Sequence, residues 1–355
     1  MTEHSLLERT LAANLAWNRA RIKFLAKFLI ALIRVRTVNL VEIAVCFEGR
    51  ALVSSNYKRI QRFLRFFEIE LPELARLILA LMNLEPPFVL CLDRTEWQFG
   101  KRWLNVLMLS VASDSVSIPI LWLCLEKKGC SNFGERKQLF EDYLKAFGRE
   151  SVRYLCADRE FADKAFLKYL DEMRINFRIR LKQNAQITDK RGRRMRAGKL
   201  LQTSRTDEVL NCRRWRKLWG LKVAIAGVRR EKNQLVIVVS SEASGEILRE
   251  YAVRWQIETL FGCLKTRGFC LEESHLRDGE RVARLLALLN LAFCWSLLVG
   301  ELVCRRKPLK LKKHKRLEKS VFRAGFDYLR RQLSRQTSNR QKQESSKLTL
   351  LLSCT

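Results

Sequence analysis

At 355 residues with 48% hydrophobic content, the chain has room for two or three domains, and most of it should fold around a sizeable core. Its 68 Lys and Arg against 37 Asp and Glu give a formal net charge of +31. A one-signed excess of that size exceeds what solubility needs and points to a polyanionic partner, because each neutralised phosphate releases a counterion. The 11 cysteines include no Cys-x-x-Cys pair, and the histidines are only 3, His4, His275 and His314, which argues against a zinc site. Scattered thiols such as Cys91, Cys124, Cys156 and Cys294 sit inside apolar runs and suit a reducing cytoplasm rather than secretion. The opening MTEHSLLERT lacks the basic-then-apolar order of a signal peptide.

Residues 1–85 read as helical. Val38 to Phe47 is apolar at helical spacing, and Glu48-Gly49-Arg50 breaks it. Ser54-Ser55-Asn56 then offers a cap for a second helix from Tyr57. That order fits a helix-turn-helix, with Lys58, Arg59, Arg62 and Arg65 facing DNA while Ile60, Phe63, Leu64 and Phe67 pack inward. An ordinary helical hairpin with a solvated basic face fits it equally well.

After Pro86-Pro87 the texture changes. Phe88 to Leu92 is a short strand leading into Asp93. Trp103 to Val111 and Val116 to Leu125 are two more strands. Phe133 to Phe147 is an amphipathic helix, Arg153 to Ala157 a strand leading into Asp158, Phe161 to Met173 a helix and Phe177 to Leu181 a strand. This is the element order of a ribonuclease-H-like mixed sheet with flanking helices, an α/β fold in which the first and fourth strands lie side by side. Asp93 and Asp158 would then face each other at the strands' C-terminal ends, where open α/β sheets bind ligands.

Residues 183–243 interrupt this pattern with basic tracts and the strand-like runs Leu221 to Val228 and Gln234 to Ser240, a β-rich insertion. Ser244 to Lys265 reads as one long helix with Ser244 as its cap. Leu285 to Gly300 is uncharged but shorter than the roughly 20 residues a membrane span needs, so it reads as a buried helix and no membrane is expected. Arg305 to Thr355 is a basic tail, loose or only partly helical.

The helix 244–265 carries the chemistry. Tyr251, Arg254, Glu258 and Lys265 fall within a sector of about 100° on a continuous helix. Attack on a phosphodiester needs an activated oxygen nucleophile and a stabilised leaving oxygen, which two divalent ions held by carboxylates can supply without a histidine base. Asp93 would bridge two ions, with Asp158 and Glu258 each completing one. Arg254 and Lys265 would bind flanking phosphates, and Tyr251 would hydrogen-bond one. Trp97 and Trp255 read as packing residues beside the site.

Asp93-Arg94-Thr95-Glu96-Trp97, the Asp158-Arg159-x-Phe161 motif and the Y-x2-R-x3-E-x6-K spacing together resemble the DDE transposases of bacterial insertion sequences, in the group with the YREK signature. The likeness spans about residues 88–302. It implies a ribonuclease-H-like core with a β-strand insertion before the glutamate, two Mg²⁺ ions per site with Mn²⁺ as a substitute, and double-stranded DNA at terminal inverted repeats. It also implies cut-and-paste joining through a hairpin intermediate, a homodimer on paired ends, and a cytoplasmic, nucleoid-associated enzyme. A tryptophan of the insertion, Trp215 or Trp219, would stack on a flipped base. The expected division is a helical DNA-binding domain (1–85), the first part of the catalytic core (86–182), the insertion (183–243), the rest of the core (244–303) and the tail (304–355). Two rival readings are a related metal-dependent nuclease that cuts without joining, and an inactive DNA-binding relative acting as an inhibitor.

Overall fold

The computed structural model describes residues 3–334 apart from 190, 213, 232, 233 and 314. Five helices come first: α1 (Glu3–Asn14), α2 (Arg19–Val35), α3 (Leu40–Val45), α4 (Val53–Phe66) and α5 (Leu71–Leu81). Three strands follow, β1 (Phe88–Phe99), β2 (Arg102–Val111) and β3 (Ile118–Leu125), then α6 (Phe133–Phe147), β4 (Val152–Ala157), α7 (Lys164–Glu172) and β5 (Phe177–Arg180). Short strands β6 (Gln186–Thr188), β7 (Arg194–Arg196), β8 (Val209–Asn211) and β9 (Arg216–Leu218) precede the longer β10 (Leu221–Arg229) and β11 (Leu235–Ser240). The chain finishes with α8 (Ile247–Ala252), α9 (Trp255–Leu264), α10 (Gly279–Arg306) and α11 (Val321–Ser334). These elements form two compact units, one of Met1–Leu84, Glu96–Asn105 and Leu260–Thr355, the other of Glu85–Thr95 and Val106–Thr259.

The first unit is mainly helical, includes the end of β1 and the start of β2, and has an apolar core. Asn18 caps α2 by accepting from the Arg21 N–H, and Asp278 caps α10 by accepting from the Arg281 N–H. The α10 helix is 28 residues long and apolar enough by composition to cross a membrane, yet 83% of its most apolar window is buried inside the protein. It packs against α2, α4, α5 and α11. Phe24 of α2 stacks on Phe63 of α4 at 4.3 Å, and Phe293 of α10 lies 5.3 Å from Phe322 of α11. Two glycines let α10 and α11 touch backbone to backbone. A Cβ on Gly325 would fall 1.9 Å from the Ser296 carbonyl oxygen, and one on Gly300 would fall 2.1 Å from that of Val321. The part of the expected tail that is described thus includes a packed helix, because Phe322, Phe326, Leu329 and Leu333 share one buried face. Residues 335–355 lie outside the described residues. The basic helix α4 starts at Val53, not at Tyr57, and its N-cap Leu52 makes no side-chain bond, so Ser54, Ser55 and Asn56 occupy its first turn.

The second unit is a mixed sheet with flanking helices, as the strand periodicity anticipated. The strand order is β3-β2-β1-β4-β5-β11-β10-β9-β6-β7, with β8 also on β10. β4 runs parallel to both β1 and β5, whereas β11 is antiparallel to β5 and to β10. Helix α6, which starts with a capping box between Asn132 and Glu135, and helix α7 make the crossovers of the parallel strands. The residues read as an insertion do contain strands, and these continue the same sheet beyond β5.

The expected single helix over 244–265 is two helices. At the junction the i→i+4 ladder is replaced by i→i+3 bonds, Arg254 N–H to Tyr251 O, Gln256 N–H to Val253 O and Ile257 N–H to Arg254 O. Buried thiols supply donors to carbonyls that the break exposes. Cys156 donates to Glu250 O at 3.5 Å and Cys91 to Val253 O at 3.9 Å. Ser244 accepts from the Glu246 N–H ahead of α8.

Candidate active site

Strand register places the two aspartates. The parallel β1–β4 ladder ends on the pair Leu92 and Ala157, so Asp93 and Asp158 are the next residues on neighbouring strands. Side chains alternate along a strand, so Asp93 shares a face with Cys91, and Asp158 shares one with Cys156. Those thiols point at the α8–α9 junction, and the carboxylates therefore do too. Contrary to expectation, β1 does not stop at Leu92 but runs on to Phe99. β4 does stop, at Ala157, so Asp93 stands on a strand edge that β4 leaves open.

Helix α8 brings the phenol. Ile247 and Tyr251 pack against Ala224 and Ala226 of β10 and Val238 of β11, which fixes the Tyr251 ring. Its hydroxyl donates to Asp158 Oδ1 at 3.2 Å. Three residues on, Arg254 is only 3% exposed and uses each of its nitrogens. Nε donates to Tyr251 Oη at 3.0 Å, Nη1 to Asp93 Oδ2 at 3.0 Å and Nη2 to Glu258 Oε1 at 2.7 Å. The other Asp93 oxygen accepts from the Arg94 N–H at 2.8 Å. One guanidinium and one phenol thus link all three carboxylates.

Burial pushes Asp93 up to about 6 against the opposing pull of the Arg94 N–H and of Arg254, and the charges of Glu160 and Asp158 add to the rise. Burial also works against the charged form of Arg254, but Tyr251, the bond to Glu258 and the charge on Asp93 outweigh it, so its proton is held more tightly than usual. The Tyr251 hydroxyl is pushed well above its ordinary range, chiefly by burial, and stays a donor.

Several supporting residues escaped the sequence reading. Gln256 ties the start of α9 to the β2–β3 connection, its side-chain amide donating to Ser113 O at 2.6 Å and its side-chain oxygen accepting from the Ser113 N–H at 3.0 Å. Arg180, at the end of β5, lies 3.7 Å from Asp158. Trp255 is not a packing residue: it is 59% exposed, with the Arg254 guanidinium 5.2 Å from its ring centre.

The remaining candidates lie elsewhere. Lys265 belongs to the helical unit, where it donates to Glu96 O, pairs with Glu272 at 2.8 Å and sits over the Trp97 ring. Lys58, Arg59, Arg62 and Arg65 line the exposed side of α4, while Ile60, Phe63 and Leu64 are buried. Trp219 and Gly220 form the two-residue turn between β9 and β10, both with positive φ, at 52° and 93°. Trp215 is 39% exposed, with Lys222 Nζ over its ring at 4.9 Å.

Around Trp215 the register builds a basic face. Arg194 pairs with Thr188, whose hydroxyl accepts from the Lys217 N–H, and Lys217 pairs with Lys222. Arg194, Lys217 and Lys222 are all exposed, and Arg196 lies two residues along β7 on the same side. The opposite face carries Ile187 and Leu218, both buried.

Three oxygen-donor carboxylates suit a hard divalent cation, and a carboxylate as buried as Asp93 needs a facing cation in order to ionise. Among the described residues no three His, Cys, Asp or Glu side chains stand together in the geometry of a metal site. Arg254 and Tyr251 stand between the three carboxylates instead.

Residues 88–295 match the family described as Transposase DDE domain, a span that includes Asp93, Asp158 and Glu258. No curated protein matches the chain. Among solved structures it is similar to a piggyBac transposase in a synaptic complex with hairpin DNA, at 13% identity and a TM-score of 0.43, over 98% of this chain and 72% of that one.

Proposed function

Because the chain belongs to the Transposase DDE domain family, we propose that it is a transposase of an insertion sequence, which cuts DNA at terminal inverted repeats and joins the freed 3′-hydroxyls to a target. The observation that carries this reading is the convergence of Asp93, Asp158 and Glu258 on the α8–α9 junction, tied there by Arg254 and Tyr251. The three carboxylates are the ligands for Mg²⁺ or Mn²⁺, two ions per site. When bound, such ions lower the pKa of the attacking water or hydroxyl and stabilise the leaving oxygen.

The protein's own residues do the rest. Arg254, protonated throughout the physiological range, offers its planar donor fork to a non-bridging phosphate oxygen. The Tyr251 hydroxyl remains a neutral donor beside Asp158. Gln256 holds α9 against the β2–β3 connection, so Glu258 keeps its place while DNA enters. The exposed Trp255 ring offers a stacking surface beside the reacting phosphate, and Trp215 offers another on the basic face of Arg194, Lys217 and Lys222. In the helical unit, the exposed cations of α4 are the candidate contacts for the inverted-repeat duplex, and the assembly on paired ends is a homodimer.

Glu258→Ala tests the assignment. Mg²⁺-dependent nicking of inverted-repeat DNA should fall at least about a thousandfold, roughly 4 kcal/mol of barrier. Nicking at the wild-type rate would remove Glu258 from the site. Pre-cleaved ends supplied with target DNA then report joining, and wild-type nicking without joining would leave a nuclease in place of a transposase.

A further inference from the structure

The carboxylates already hold a cation, and it is part of the protein. Each nitrogen of Arg254 is bonded within the site, to Asp93, to Glu258 and to Tyr251, whose own hydroxyl completes the link to Asp158. Both Asp93 oxygens are engaged, one by Arg254 and one by the Arg94 N–H. A divalent ion that takes Asp93 Oδ2 or Glu258 Oε1 as a ligand therefore competes with the guanidinium for that oxygen. The displaced group is not stranded, because the Trp255 ring beside it is open to solvent.

We propose that Arg254 is a built-in counter-cation: it keeps the metal-free carboxylates together, yields them when a divalent ion loads, and is thereby released to a substrate phosphate. The inference rests on the reading of Asp93, Asp158 and Glu258 as metal ligands. Without a cation the three carboxylates would repel one another in a half-buried place, a cost that falls on the metal-free fold. Arg254 offsets part of that cost, and the metal competes against an ion pair instead of entering an empty site. Metal and DNA phosphate then bind with positive coupling. Each draws on a partner of the same ion pair, so each tightens the other by the same factor.

The competition is read by Mn²⁺ titration calorimetry on the full chain without DNA, alongside thermal melting. Arg254→Gln should melt below wild type without metal, bind Mn²⁺ at least about tenfold more tightly, and gain more in melting temperature on adding it. Arg254→Lys, which keeps one charge but cannot bridge two carboxylates, should show the same tightening to a smaller degree, and it carries the test if Arg254→Gln does not fold. Equal or weaker Mn²⁺ binding by these variants would mean that Arg254 only braces the ligands, and would overturn the proposal. If that result comes with loss of binding in Asp158→Asn, the metal assignment survives and only the counter-cation role fails. If neither wild type nor variants bind Mn²⁺, both fail together.

Discussion

The helical core and the carboxylate network bury side chains for opposite ends. In the first, α10 and α11 meet through Gly300 and Gly325, and the phenylalanines of α2, α4, α10 and α11 fill the space around them. The gain there is burial of apolar surface, roughly 25 cal/mol per Å², and it depends on shape alone. In the second, Asp93 and Arg254 are held with side-chain exposures of 15% and 4%. Removing charges from water costs more than their attraction reliably returns, so such a pair is weak support for a fold. One region is built to stay as it is. The other keeps charged groups where a substrate or an ion can rearrange them.

Substitutions and pH sharpen this contrast. The largest effect is expected at Gly325→Ala, whose new Cβ would overlap Ser296 O and Gly300 N, at 1.9 and 2.3 Å. Urea denaturation should show a loss of at least ~3 kcal/mol. Loss below 0.5 kcal/mol would mean that α10 and α11 are not in backbone contact.

A comparable effect, but one that pH turns on and off, belongs to Asp93. Its carboxyl is raised from 3.8 to about 6, so the folded chain keeps a proton that the unfolded chain gives up. The stability contributed by neutral Asp93 is fully present below about pH 4 and is lost as pH rises through about 6, on the order of 3 kcal/mol in all. Unfolding of wild type against Asp93→Asn at pH 4 and pH 7 isolates it. The stability difference between the two proteins should move in favour of the asparagine variant at pH 7, and a difference independent of pH would reject the shift. Apolar substitutions in the helical core should show no such dependence.

The smallest effect is expected where the polar region meets solvent. Replacing both Lys217 and Lys222 by Ala should weaken DNA binding severalfold and lower the slope of log affinity against log salt by about 2. Nicking at saturating DNA should not change. An unaltered slope would remove the basic face from the path of the phosphates.

Much of this was legible in the sequence because strand and helix periods are local. The strands around Asp93 and Asp158 announce themselves by apolar runs, and parallel pairing of the first and fourth then follows from the crossover helices. What was not legible depends on distant partners. Residues 244–265 have unbroken helical character, and the break at Arg254 reflects bonds to Asp93 and to thiols on two strands. The exposure of Trp255 could not be read from its apolar neighbours. The strands after β5 read as a β-rich insertion, and their continuation of the main sheet was not legible because the β5–β11 pairing joins residues about sixty positions apart. In α11 the signal was present, Phe322, Phe326, Leu329 and Leu333 at helical spacing, but it lay within a stretch rich in Lys and Arg.

The core around α10 also sets an order of events during synthesis. Helices α1 to α5 leave the ribosome first, yet part of the surface that α2, α4 and α5 bury is covered by α10, and α2 also packs on α11, both within residues 279–334. At 5–20 residues per second, the wait from residue 84 to residue 334 is on the order of ten to fifty seconds. Over that interval α2, α4 and α5 lack the helix they pack against, and α10 itself emerges as a long apolar segment that must find them before a membrane or a second nascent chain does.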